Sequence, residues 1–203
     1  DIIAAFSKAE KSKVKFSYYE LNISCPNLLN NISFYISKNL EELLIEITKL
    51  ALRKPIFIKM PIEKNDKEVL NMLRIIVKYP IQGVIFGNLQ KNRKDPAFDS
   101  EEIKKYKIGN FSGKPTEKRS NELIKLAYKN FGKSFLIIGC GGVFNASDAY
   151  TKIKLGASLV QLITGLIYEG PQLASQINCE LKDLLKKDGL RHVSDAIGIG
   201  INQ

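Results

Sequence analysis

The stretch Phe135-Leu136-Ile137-Ile138-Gly139-Cys140-Gly141-Gly142 sets the fold class. Four apolar residues in unbroken succession suit a strand covered on both faces, as in a parallel sheet. The glycines that follow permit a sharp turn, and a helical pattern then runs from about Ala146 to Leu155. Strand, glycine turn and helix together make one unit of a parallel α/β fold.

The unit recurs on both sides. Downstream, Ser158–Gln161 reads as a strand, with helices from there to the end. Upstream, strands are expected at Gly83–Phe86, Pro55–Met60 and Tyr18–Ile23. The helices between them fall at Ser120–Phe131, from Asn65 to about Lys78, and at Leu40–Leu52. Asn65 followed by Glu68 is a capping-box variant. A first helix opens the chain, with Ile2, Ile3, Phe6 and Ala9 on one side. Between Phe86 and Ser120 lies one long polar connection, of loop and short helix, at the strand end where parallel α/β folds carry their chemistry.

Five strands in this alternation are read as the last five βα units of a (β/α)8 TIM barrel, which in full needs eight strands and about 250 residues. The chain is then a single α/β barrel domain over residues 1–203, with its N-terminal strands missing and expected before Asp1. A five-stranded doubly wound sheet fits the same pattern and stays open.

Composition narrows the function classes. The 203 residues are 44% hydrophobic, enough to bury a core, and no run of about 20 apolar residues suggests a membrane span. Asp1 opens on a polar, helix-like pattern, so no signal peptide is expected. Cys25, Cys140 and Cys179 are odd in number and lack metal-ligand spacing, which argues against a disulfide framework or a zinc site and fits a reducing, cytoplasmic setting. No metal is expected. The formal charge of +10 comes mostly from lysines spread along the chain, so it is read as a solvated surface with no nucleic-acid partner. His192 is expected to cap or pack near the last helices, and Cys140 and Cys179 to be structural.

Several residues could carry chemistry. Gly141 and Gly142 stand between a strand and a helix, where bare backbone amides can approach an anion. The next strand runs into Leu162, Ile163 and Thr164, offering further amides and a hydroxyl; tight turns alone would also explain the glycines. Asn22, at a strand end, is expected to face the barrel, with Cys25 on the loop just beyond it. An amide presents donors and an acceptor to a planar heterocycle, and a thiolate can act as base once its proton is drawn away. A buried structural cysteine beside Pro26 is the competing reading. Lys59 interrupts an apolar strand; pointed inward it needs an anion, although a snorkelling lysine fits as well. Asn88 places another amide after a strand. Together these describe a phosphorylated aromatic cofactor and a small polar ring.

The motifs ELNISCPN (Glu20–Asn27), IKMP (Ile58–Pro61), GVIFGN (Gly83–Asn88), NFSGKP (Asn110–Pro115), IIGCGGV (Ile137–Val143) and GASLVQLITGLIYEGP (Gly156–Pro171) resemble, in order and spacing, the dihydroorotate dehydrogenase family. The resemblance implies FMN at the top of the barrel and oxidation of dihydroorotate to orotate in pyrimidine synthesis. It gives Cys25 the part of catalytic base, removing the C5 proton while the C6 hydride moves to the flavin. Asn22, Asn27 and Asn88 would hold the orotate ring, and Lys59 the negative charge of the reduced flavin. Ser112, Gly113, Gly141, Gly142, Leu162, Ile163 and Thr164 would hold FMN and its phosphate.

The subclass is mixed. A cysteine in the base loop resembles the soluble class, which reduces fumarate or works with a redox partner. The SGKP segment and the SLVQL ending resemble the membrane-associated class that reduces quinone. Leu89 stands where a hydroxyl residue is expected. The family's earlier strands bring further cofactor and substrate contacts, so this chain alone is expected to bind flavin weakly. Two other readings are a tRNA-dihydrouridine synthase, whose loop would read NxGCP, and a non-catalytic half-barrel that forms a homodimer through its open edge. A dihydropyrimidine dehydrogenase domain would carry His where Asn27 stands.

Overall fold

The structure, a computed structural model, describes residues 1–24, 33–95 and 98–202. Helix α1 (Ile2–Lys11) precedes five strands: β1 (Tyr19–Asn22), β2 (Ile56–Lys59), β3 (Gly83–Phe86), β4 (Leu136–Cys140) and β5 (Leu159–Gln161). Between them run α2 (Ser37–Lys49), α3 (Asp66–Ile76), α4 (Ser100–Lys105), α5 (Glu117–Phe131) and α6 (Ala146–Lys154). Helices α7 (Thr164–Glu169) and α8 (Leu173–Lys187) follow, then 3-10 turns at Val193–Ala196 and Ile199–Asn202.

All five strands are parallel, and each pairs with the next in sequence. This order settles the choice left open by the pattern. A doubly wound sheet reverses direction at a switch point and puts helices on both faces. Here α2 packs on α3, α3 on α5, α5 on α6 and α6 on α8, one continuous outer layer. The sheet is therefore an arc of a barrel.

Alternation along the strands sorts the side chains. Tyr19, Leu21, Ile56, Ile58, Val84, Phe86 and Ile137 face the helices and join Leu40, Leu44, Leu73, Ile76, Leu123 and Ile124 in the main core. At about 1.5–3 kcal/mol for each large apolar side chain removed from water, this seam dominates the favourable side of folding. The opposite, inner face carries Glu20 and Asn22, which lie in register with Phe57 and Lys59, and next Ile85, Ile138, Cys140 and Gln161. Phe57, Ile85 and Ile138 form an apolar layer there, with Cys140 against it. Lys59, Cys140, Gln161 and Asn22 make a polar layer nearer the strand C-termini.

Local signals explain the boundaries. Asn65 accepts from the Glu68 amide at 2.9 Å while Glu68 accepts from the Asn65 amide at 3.1 Å, so the expected capping box is formed. Helix α5 starts three residues earlier than its periodicity suggests, because the turn at Lys114–Thr116 leads directly into Glu117. His192 caps the Val193–Ala196 turn, its ring nitrogen accepting from the Ser194 amide. Among the described residues no helix is long and apolar enough to cross a membrane, and no group of His, Cys, Asp and Glu could hold a metal ion.

Candidate functional site

The strand C-termini open into a cleft of about 120 Å³. Its walls bring together nine of the residues singled out from sequence: Lys59, Asn88, Ser112, Gly113, Gly141, Gly142, Leu162, Ile163 and Thr164. These come from five separate stretches of chain. Asn22 lies beside the cleft, its Oδ1 accepting from Asn88 Nδ2 at 3.1 Å. Cys25 and Asn27 lie outside the described residues.

One wall is mostly backbone. Gly142 sits at φ +70°, and a Cβ there would stand 2.3 Å from Glu117 Cβ, so the loop can lie against the start of α5 only without a side chain. Gly113 sits at φ +78°, and its missing Cβ would come within 2.8 Å of Thr164 Cγ2. Two of the loops lining the cleft therefore touch at this glycine. Thr164 Oγ1 donates to Ser112 Oγ at 3.0 Å between them. Among the described residues, the Gly141 and Gly142 amides donate to no protein acceptor, whereas the Phe144 amide is taken by Asp148 Oδ2 at 2.9 Å. Free amides beside hydroxyls suit a phosphate, whose oxygens accept hydrogen bonds from both.

On the other side Asn88 lines the cleft, and behind it side chains are bonded to one another. Asn22 Oδ1 accepts from the Ser24 amide and hydroxyl, both at 3.1 Å, and Asn88 Nδ2 also reaches Ser24 Oγ. Lys91 Nζ contacts the Ser24 carbonyl at 3.5 Å, Tyr35 OH at 3.1 Å and Glu63 at 2.5 Å. Burial alone would lower the Lys91 ammonium, but its bonds to Glu63 and Tyr35 outweigh this and hold it above the ordinary lysine value. Tyr35 is raised in turn, chiefly by burial.

Of the two readings of Lys59, the structure has the inward one, and the side chain meets its anion within the protein. Its Nζ lies 3.6 Å from Glu20 Oε1, 3.2 Å from Gln161 Oε1 and 3.4 Å from Cys140 Sγ. Gln161 Nε2 continues the layer to Tyr18 OH at 3.1 Å and Glu20 Oε2 at 3.0 Å.

The chain matches the family model described as dihydroorotate dehydrogenase over residues 2–185. The chain belongs to the dihydroorotate dehydrogenase family. It is 34% identical, over 90% of its length, to a dihydroorotate dehydrogenase (quinone) of Trichodesmium erythraeum, of which it covers 50%. It is 37% identical over 91% of its length to the enzyme of the same name from Nautilia profundicola, covering 49% of that protein. The chain thus spans about half the length of the curated relatives it matches. Among solved structures, the dihydroorotate dehydrogenase of Eimeria tenella in complex with ferulenol superposes with a TM-score of 0.85, covering 98% of this chain and 57% of that one, at 24% identity. That likeness concerns the fold. Membership in the dihydroorotate dehydrogenase family replaces the dihydrouridine synthase reading.

The residues singled out from sequence supplied most of the cleft but not all of it. Gly87, Thr116, Val143 and Gly165 also line it, as does Cys140, which sequence reading assigned to structure. The pairing of Cys140 with Lys59 spans 81 positions, so nothing local announces it. The Phe86–Gly87 peptide is cis.

Proposed function

We propose that this chain carries the cofactor-phosphate loops and the substrate-base loop of an enzyme that oxidises dihydroorotate to orotate, with FMN as hydride acceptor. The observation that supports it is the single cleft into which Lys59, Asn88 and all seven expected phosphate-side residues converge. Free amides at Gly141 and Gly142 and the Ser112 and Thr164 hydroxyls fit a phosphorylated cofactor. When bound, FMN supplies the redox chemistry by accepting the hydride.

The protein's own groups do the rest. Cys25, three residues beyond Asn22, takes the proton from C5 of the substrate. Asn22 and Asn88 turn from each other to the ring, exchanging one amide contact for another at little net cost. Asn27 adds a third amide. Lys59 places a positive charge at the inner end of the cleft, where negative charge develops. Holding base, ring and acceptor in one geometry lowers the entropic part of the barrier.

Relatives named as quinone-reducing enzymes support quinone as the final acceptor. The chain is then one FMN-binding α/β barrel domain whose remaining strands lie in the half of the relatives it does not match. The test is a visible spectrum of the protein with FMN added, followed by anaerobic dihydroorotate. The flavin bands should shift on binding and bleach with substrate, and Cys25→Ala should retain the shift without bleaching at neutral pH. A spectrum unchanged from free FMN would overturn the reading for this chain.

A further inference from the structure

Behind the cleft, on the helix side of β4, lies a lysine that the proposed reaction does not use. Lys152 of α6 is fully buried, as is Ser120 of α5. Its Nζ donates to Ser120 Oγ at 3.0 Å and to Asn121 Oδ1 at 2.8 Å, both neutral acceptors. Ser120 Oγ in turn lies 2.7 Å from the Cys140 carbonyl and 3.0 Å from the Phe86 carbonyl. These two carbonyls end β4 and β3, and the next residues, Gly141 and Gly87, line the cleft. Room for the lysine stem is made by Gly139, where a Cβ would fall 2.9 Å from Lys152 Cδ.

A buried ammonium held only by neutral groups is expensive unless an anion shares its surroundings. Burial lowers Lys152 to about 8. Cys140 on β4, Glu117 on α5 and Asp148 on α6 favour its charged form, and Lys114 opposes it. Glu117 and Asp148 are themselves engaged by Lys114, at 2.5 and 3.6 Å. One hydroxyl separates the ammonium from the Cys140 carbonyl and thus from the loop with the free amides.

We infer that Lys152 is a positioning residue for the anion subsite: through Ser120 it fixes the two strand ends that carry Gly87 and Gly141, and it supplies the buried counter-charge for a phosphate held there. The inference rests on the cleft being the cofactor-phosphate site. Phosphate binding and protonation of Lys152 are then coupled, and reciprocally so.

The experiment is a side-chain NMR titration of Lys152 in the full chain, with FMN, with riboflavin, and with neither. FMN should raise the Lys152 midpoint by about one pH unit, equivalent to a tenfold weakening of FMN as the lysine deprotonates. Riboflavin, without phosphate, should leave the midpoint in place. Lys152→Gln should bind FMN more weakly and lose the pH dependence between about pH 7.5 and 9.5. A slope that persists in Lys152→Gln would belong to another group and overturns the inference. So does a Lys152 midpoint that stays put while FMN shifts the Gly141 and Gly142 amide signals. If FMN moves neither the amides nor the lysine, the site reading fails, and the inference with it.

Discussion

The two walls of the cleft are built on different principles. The Gly113, Gly141–Gly142 and Thr164 side is backbone and small residues, locked by close approach to α5 and backed by buried Ser120 and Lys152. The Asn22, Ser24 and Asn88 side is polar side chains that satisfy one another. A backbone wall is preorganised, because altering it means altering the fold. A side-chain wall can exchange partners when a ligand enters. The first should therefore join stability to binding, and the second should separate them.

The largest effect is expected at Gly142. Gly142→Val combines a positive φ with a clash against Glu117, and should lower stability by about 3–5 kcal/mol in urea denaturation. A loss below about 1 kcal/mol would mean the loop can relax, and the backbone wall is not rigid. Next comes the pH dependence of stability. Lys152 has its folded value depressed to about 8, so the unfolded chain binds more protons between there and the ordinary value of 10.5. Its destabilising contribution is full below pH 8 and is relieved as pH rises towards 10.5. Lys152→Met should flatten that rise by on the order of 2–3 kcal/mol, read as the difference between urea midpoints of parent and variant at pH 7.5 and 10.

Ser120→Ala removes the hydroxyl between the ammonium and the two strand-end carbonyls, and should cost about 1–3 kcal/mol. On the other wall, Asn88→Ala should change stability by less than about 1 kcal/mol while weakening orotate at least tenfold by titration calorimetry. A stability loss as large as that of Ser120→Ala would erase the contrast between the walls.

Most of the fold was legible because it is local. Short apolar strands alternating with periodic helices gave the five units within a few residues, and Asn65 and Glu68 marked a helix start. The pattern could not choose between a barrel arc and a doubly wound sheet, since that depends on which strands pair. The site was legible where ordered motifs carried it. It was opaque where contacts join distant positions, as with Gln161 and Glu20, 141 positions apart, or Lys152 and Ser120, 32 apart. Lys152 in particular reads as a surface lysine on an amphipathic helix; only the absence of a side chain at Gly139 gives it a place inside.

The polar layer that ends at Gln161 has a consequence for cooperativity. Strands β1 and β5 share no backbone hydrogen bonds, and a row of units touching only its neighbours can come apart from either end. Gln161 reaches from β5 to Tyr18 and Glu20 beside and within β1, and Lys59 joins both from β2. Like a string across a bow, these bonds turn the row into a loop: loosening the first strand removes contacts from the last, and fraying at one margin is felt at the other.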